Sequence, residues 1–102
     1  MITQDKCFYI LKGQNIKYYD LSDSEFSFVI DEGKCVYVYT KKTQHPFDEL
    51  AFTSSKYGEV YYESKAYYFR HDGYLVKLSG YRNSKKAKEI INSFEFEKHF
   101  IK

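Results

Sequence analysis

The chain has 102 residues, the length of one compact domain, and two packed domains of half that length would each be too small to hold a core. Its 16 basic and 14 acidic residues give a formal net charge of +2, far from the strongly basic balance of a dedicated duplex-binding protein. Hydrophobic residues make up 43% and aromatic residues 21%, which excludes disorder, and no apolar stretch approaches the roughly 20 residues of a membrane span. We therefore expect one folded domain, residues 1–102.

The N-terminal residues and the two cysteines indicate in which cellular compartment the protein is expected. Residues 1–14 carry an apolar run of only five residues behind the acidic Asp5, so no secretory signal is predicted. Without an export signal, Cys7 and Cys35 are expected to be reduced thiols in a cytoplasm. A disulfide between Cys7 and Cys35 is an alternative, which requires that two strands bring the cysteines together.

Short strands and turns fill the first part of the chain. CFYIL (7–11) and IKYYDL (16–21) flank a four-residue turn at 12–15 and predict a hairpin. EFSFVI (25–30) then alternates between apolar and polar positions, as a half-buried strand does. A turn at Gly33 follows, because glycine takes a positive φ without steric cost.

The strongest strand signal is KCVYVYTK (34–41), with its two valines facing one way and Cys35, Tyr37 and Tyr39 the other. The pattern lapses from Lys42 to Lys56. This long loop contains PFDELAF, which is consistent with a single helical turn started by proline.

Three more strands and a helix complete the pattern. GEVYYES (58–64), AYYFRH (66–71) and YLVKLSG (74–80) follow, the last two joined by the hairpin signal Asp72-Gly73. That makes seven candidate strands. The helix has an N-cap at Asn83-Ser84 and an apolar stripe made by Ala87, Ile90, Ile91 and Phe94.

These elements predict an α+β fold, an antiparallel meander of about six to seven strands with a C-terminal amphipathic helix packed on one face. The end of the helix near Ser93 is left open, because SFEFE returns to alternation and suits a last short strand.

The segment AKEIINSFEF (87–96), together with the preceding VKLSGY (76–81), resembles the end of PsbP-like domains. In that family an antiparallel sheet is finished by a helix and a Ser-Phe-x-Phe tail. The resemblance implies a non-enzymatic docking domain, and it carries over no functional residue.

Tyrosine is frequent, at 12 of 102 residues, while lysine far outnumbers the two arginines. An AT-rich gene accounts for this usage, and a binding face accounts for the tyrosines equally well, because Tyr combines apolar area with a polar tip. Tyr37 and Tyr39 share one face, and Tyr61 lies between two glutamates on its own strand. The helix covers only part of one face, so these rings either line a curled core or form a surface patch of the kind that marks an interface.

No catalytic or metal-binding pattern emerges. His45, His71 and His99, with the two cysteines, lack the close, recurring spacing of zinc ligands. Cys35, His71 and Asp72 are the residue types of a nucleophile, its general base and the carboxylate that orients the base. However, adjacent residues at a strand end point to opposite faces, so Asp72 is badly placed to orient His71. We predict no enzyme activity, no cofactor and no metal.

The predicted helix begins in a cluster of cations: Arg82, Lys85, Lys86 and Lys88. Cations are disfavoured at a helix N-terminus, so this cluster is a candidate anion site, although a solvated face explains the same charges.

Together these features predict a small, non-enzymatic protein-binding module, an accessory, inhibitor or immunity-type protein of a mobile element. It would dock through an aromatic sheet face and the adjoining basic helix start. The predicted contact residues are Tyr37, Tyr39, Tyr61, Arg82, Lys85 and Lys86. The alternative is a domain that binds single-stranded nucleic acid by tyrosine stacking and Lys/Arg contacts. Homodimerisation through edge strands stays open, and no membrane partner is predicted.

Overall fold

Strands, in which side chains alternate between the two faces of a sheet, make up most of the described residues. The structure is a computed structural model that describes residues 6–12, 14–22, 24–42 and 45–101, and for residues 6–10, 42 and 99–101 it describes the backbone alone. Within these residues the elements are β1 (Lys6–Lys12), β2 (Tyr18–Leu21), β3 (Glu25–Asp31), β4 (Lys34–Lys42), β5 (Leu50–Ser54), β6 (Gly58–Glu63), β7 (Ala66–His71), β8 (Tyr74–Ser79), α1 (Ser84–Ser93) and β9 (Glu95–Ile101).

Two antiparallel meanders join into one seven-stranded sheet of order β2-β3-β4-β8-β7-β6-β5. They meet where β4 pairs with β8, with Val36 opposite Leu78 and Val38 opposite Val76. One helix, α1, packs on this sheet. The predicted α+β fold, an antiparallel sheet with a C-terminal helix on one face, is therefore confirmed.

The predicted hairpin between CFYIL and IKYYDL is wrong. β1 pairs with β9 along its whole length, from Lys6 opposite Ile101 to Lys12 opposite Glu95. β2, which is only four residues long, pairs with β3 instead. The intervening residues suit a turn, but β9 offers β1 seven paired positions and β2 offers at most four. The alternation in SFEFE is thus a strand, as the sequence left open.

The predicted helical turn in PFDELAF is also wrong, because its last residues belong to β5. This edge strand pairs with β6, and its register shifts between Leu50 and Phe52. The extra residue at this bulge, Ala51, breaks the period of two that would have revealed the strand.

The core lies on one face of the sheet, here called the inner face. Its buried side chains form one cluster with those of the helix and β1: Leu11, Phe26, Phe28, Val36, Val38, Val60, Tyr67, Phe69, Val76, Leu78, Tyr81, Ala87, Ile91 and Phe94. Three of the four predicted stripe residues of the helix, Ala87, Ile91 and Phe94, are fully buried. Tyr67 and Tyr81 are thus core tyrosines, whereas Tyr37, Tyr39 and Tyr61 are not.

The helix begins where the sequence predicts. The Asn83 side-chain oxygen Oδ1 accepts hydrogen bonds from the backbone N–H groups of Lys85 (2.9 Å) and Lys86 (3.3 Å). This is the bonding of an N-cap, which satisfies two of the free donors of the first turn. No helix within the described residues is long and apolar enough to cross a membrane.

Candidate functional site

The face of the seven-stranded sheet opposite the core, here called the outer face, brings tyrosines from three strands into line. Strand pairing sets Tyr37 of β4 opposite Lys77 of β8, and Lys77 opposite Tyr68 of β7. Tyr68 is in turn opposite Tyr61 of β6. Tyr39 lies two residues beyond Tyr37 on the same face, and all four phenol side chains are half-buried.

The loop before β5 covers one end of this line with a ring of its own. Phe47 stacks on Tyr61, with ring centroids 5.6 Å apart, and on Tyr68 at 4.9 Å. The guanidinium carbon of Arg70 lies 5.6 Å from the centroid of the Phe47 ring. We call Tyr37, Tyr39, Tyr61, Tyr68 and Phe47 the aromatic row.

Polar contacts hold this loop on the outer face. Arg70 donates from Nη2 to the backbone oxygen of His45 at 2.8 Å, and the His45 ring nitrogen Nε2 lies 3.1 Å from Glu63 Oε2. The His45 ring also meets Phe47 edge-on at 4.6 Å. The Tyr61 end of the row is therefore packed against the chain itself.

The Tyr37 end of the row has a different environment. The ammonium nitrogen of Lys77 lies 5.1 Å from the Tyr37 ring centroid. Burial raises the pKa of Tyr39 to about 12, with smaller contributions from Glu25 and the neighbouring phenols. Burial and the adjacent Cys35 raise the pKa of Tyr37 as well. Both phenols are neutral at physiological pH; the Tyr37 hydroxyl bonds to the Cys35 side chain, and the Tyr39 hydroxyl can donate a hydrogen bond to a partner.

Charges of both signs surround the aromatic row. By strand alternation, the outer face carries the acidic side chains of Asp20, Glu25, Glu59 and Glu63 and the basic side chains of Lys41, Arg70 and Lys77. No strong field of one sign results. Such a surface suits a partner with mixed charges better than a polyanion.

The predicted basic residues lie elsewhere. Arg82, Lys85 and Lys86 are exposed at the start of α1, and α1 packs on the inner face through Ala87 and Ile91. The sheet thus lies between them and the aromatic row, so the structure does not bring the two predicted halves of the site together.

An open groove borders the helix start. It has a volume of about 600 Å³ and is lined by Tyr62, Lys65, Gly80, Tyr81 and Arg82. Of these residues, only Arg82 was predicted from the sequence as a contact residue. The others come from the end of β6, the turn that follows it and the segment between β8 and α1, and their adjacency depends on the pairing of β7 with β8 and β6.

The side chains considered for nucleophilic chemistry are also apart. Cys35 is a free, half-buried thiol on the outer face, and His71 lies on the inner face beside Tyr57 and Phe96. Among the side chains that the structure describes, no three of His, Cys, Asp or Glu come together as metal ligands would. The side chains of Cys7 and His99, and residues 1–5 of the N-terminal segment in which no secretory signal is predicted, fall outside the described residues.

We predict that His71 makes the folded protein sensitive to acid. Its ring stacks on Phe96 at 5.1 Å and meets Tyr57 edge-on at 5.5 Å. Burial lowers the pKa of His71 below its ordinary value of 6.5, Lys56 lowers it further, and Asp72 opposes the shift in part. Because the unfolded chain then binds the proton more readily, stability should fall as the pH drops below about 6.5.

We expect urea denaturation midpoints measured between about pH 7.5 and pH 5.5 to fall less steeply for His71→Gln than for the wild type. An NMR titration of the ring protons should give His71 a pKa below 6.5. Equal slopes for the two proteins, or a pKa above that value, would contradict this assignment.

Comparisons with family models, with curated proteins and with solved structures find no match to this chain. The resemblance of residues 76–96 to PsbP-like domains is therefore wrong.

Sequence reasoning missed two members of the aromatic row, Tyr68 and Phe47. Tyr68 lies in the predicted strand 66–71, which follows the predicted strand 58–64 that contains Tyr61. Pairing these two strands as a hairpin in the correct register would have placed the two rings side by side. Phe47 carries no such signal, because its position depends on how the loop folds back over the sheet.

Proposed function

We propose that this chain is a non-catalytic domain that binds another protein through the Tyr37 end of the aromatic row. The observation that carries the proposal is the placement of Tyr37 and Tyr39. They are half-buried on the face opposite the core, in an antiparallel sheet whose helix packs on the other side. Antiparallel sheets usually leave small polar and charged residues on such a face.

The chemistry of these rings suits protein recognition. A tyrosine side chain offers large contact area with few rotatable bonds, so little conformational entropy is lost on binding. The Lys77 ammonium packs over the Tyr37 ring. Neutral phenols beside Glu25 favour a partner that presents hydrogen-bond acceptors or a basic side chain.

Single-stranded nucleic acid is the less favoured ligand. Base stacking needs exposed ring faces in a positively charged groove. Here Phe47 already occupies the faces of Tyr61 and Tyr68, and Glu25, Glu59 and Glu63 lie on the outer face where phosphates would approach.

The basic helix start is not part of the same contact, because the sheet separates it from the aromatic row. A single flat partner surface could not reach both. The accessory, inhibitor or immunity-type role, the link to a mobile element and the cytoplasmic location stay predictions of the sequence alone.

The wild-type chain is used to capture a binding protein from cells whose genome encodes this chain. We expect the double variant Tyr37→Ser/Tyr39→Ser to bind that protein with an affinity at least about thirtyfold lower. The capture is made at moderate salt after nuclease treatment and analysed by mass spectrometry. The matched control is Arg82→Glu/Lys85→Glu/Lys86→Glu, whose changes lie on the opposite side of the sheet.

Support requires one protein retained by the wild type and by the helix variant and lost from the double variant. Circular dichroism and urea denaturation must show that the double variant is folded. Retention by all three chains would contradict the proposal. Binding of a single-stranded oligonucleotide that weakens steeply with salt and needs Tyr37 and Tyr39 would favour the nucleic-acid alternative instead.

A further inference from the structure

The edge strand β2 concentrates the exposed apolar surface of the molecule. Four large hydrophobic side chains of the described residues are exposed, and three of them lie on this strand of four residues: Tyr18 at 64%, Tyr19 at 62% and Leu21 at 44%. The fourth, Leu50 at 50%, lies on the opposite edge strand, β5. An edge strand with exposed rings on both faces is a template for pairing with another chain.

The backbone of β2 is also open on its outward side. The Ser22 N–H donates to the Glu25 carbonyl at 3.0 Å, and the Glu25 N–H donates to the Ser22 hydroxyl at 3.2 Å, so Ser22 directs its hydrogen-bonding groups toward β3. Because hydrogen-bonded pairs alternate along an antiparallel ladder, Tyr18 and Asp20 also direct their N–H and C=O groups to β3. Tyr19 and Leu21 direct theirs outward, where no strand within the described part of the chain pairs with β2.

We propose that β2 is a self-association edge, where two copies of this chain pair antiparallel around a twofold axis at Tyr19. The axis is perpendicular to the sheet, so residues opposite each other must come from the same face. Tyr19 then meets Tyr19 of the second copy and exchanges both of its outward backbone hydrogen bonds with it. The two seven-stranded sheets become one continuous sheet.

The side chains of β2 favour this register over its neighbour. With Tyr19 on the axis, the Tyr18 phenol is opposite the carboxylate of Asp20 of the second copy, twice per dimer. The register with Asp20 on the axis would set two carboxylates directly opposite each other, and like charges in that position are destabilising. The strand is therefore self-complementary in one register and self-repelling in the next.

The size of the contact predicts a weak dimer. The exposed parts of two tyrosines amount to roughly 250 Å² per copy. Even with Leu21 and the edge backbone, this stays well below the roughly 800 Å² per partner of a stable interface. We therefore expect a dissociation constant on the order of 100 µM, with a monomer at low concentration.

Sedimentation velocity over a series from about 5 µM to about 1 mM should show the monomer converting to a dimer. Leu21→Lys and Tyr19→Lys should each raise the dissociation constant at least about tenfold. The matched control, Leu50→Lys at the opposite edge, should leave it unchanged. A wild type that stays monomeric throughout, or an equal effect of Leu50→Lys, would overturn the proposal.

A cross-linking experiment tests the register. In a chain with Cys7→Ser and Cys35→Ser, the variant Tyr19→Cys should form an intermolecular disulfide under mild oxidation, because Cα atoms of a hydrogen-bonded pair are about 5.5 Å apart. Leu21→Cys should not, since its two copies would be separated by about 13 Å along the strands. Cross-linking of Asp20→Cys or Leu21→Cys in preference to Tyr19→Cys would contradict the Tyr19 axis.

This self-association does not depend on the proposed function. Tyr37→Ser/Tyr39→Ser should dimerise like the wild type, because both residues lie on β4, two strands away from the edge. Loss of the dimer in that variant would mean that the outer face, and not β2, joins the copies.

Discussion

Replacing Phe94 with alanine should lower the free energy of unfolding by about 3–5 kcal/mol, a large part of the stability of a domain of this size. The Phe94 side chain is fully buried where α1 ends and β9 begins. Its ring lies 6.3 Å from that of Phe69 and 6.0 Å from that of Phe96, so it fills the space between the sheet and the two-stranded arm of β1 and β9.

The backbone around Phe94 limits how far the site can collapse after truncation. The Phe94 carbonyl accepts hydrogen bonds from the Tyr57 hydroxyl at 2.6 Å and from the Lys56 ammonium, and its N–H donates to Ile91. These bonds remain in the variant and keep the walls of the cavity apart. A cavity that cannot relax carries the higher cost.

Urea denaturation of Phe94→Ala measures this loss. The control is Tyr18→Ala, which removes a ring that is 64% exposed and should cost less than about 0.5 kcal/mol at a concentration where the protein is monomeric. Similar losses for the two variants would show that the Phe94 ring does not contribute to the core as described.

Replacing Gly80 with alanine should cost about 4 kcal/mol, because two penalties coincide at this position. Gly80 has a φ of +100°, which L residues rarely adopt. A Cβ there would also lie 2.2 Å from the Gly33 carbonyl oxygen and 2.9 Å from the Lys34 Cα. The turn between β3 and β4 would have to move away from the end of β8, which pairs with β4 next to it.

Gly58→Ala separates these two penalties. Gly58 has a similar φ of +82°, but a Cβ there would meet nothing within 4 Å. We expect this variant to cost about 1–2 kcal/mol, the strain of a left-handed residue alone. Thermal and urea denaturation of both variants check the difference, and equal costs would refute the close approach between Gly80 and Gly33.

Much of the candidate site was predictable strand by strand. The alternation in residues 34–41 correctly separates Val36 and Val38 from Tyr37 and Tyr39. It cannot predict that Tyr61 and Tyr68 continue the same line, because that depends on the β4–β8–β7–β6 order and the register of each pair. A shift of one residue in any of these pairs would move a ring to the other face.

The sequence by itself determined the elements whose signals are local. The Asn83 cap and the apolar stripe define α1, and Asp72-Gly73, both with positive φ, makes the tight turn between β7 and β8. These features depend on backbone preferences and on contacts between residues a few positions apart. They can therefore be predicted from the residue types at neighbouring positions of the sequence.

Only the tertiary structure decided which distant strands pair and what each face of the sheet meets. β1 finds its partner about 90 residues away in β9, β5 emerges as a strand through its pairing with β6, and the aromatic row and the helix start fall on opposite sides of the sheet. The spacing of residues along a strand is the same whichever partner it takes. The pairing partner of each strand is selected because the assembled sheet buries the apolar side chains of its whole inner face together. This burial depends on all the strands and cannot be read from one of them.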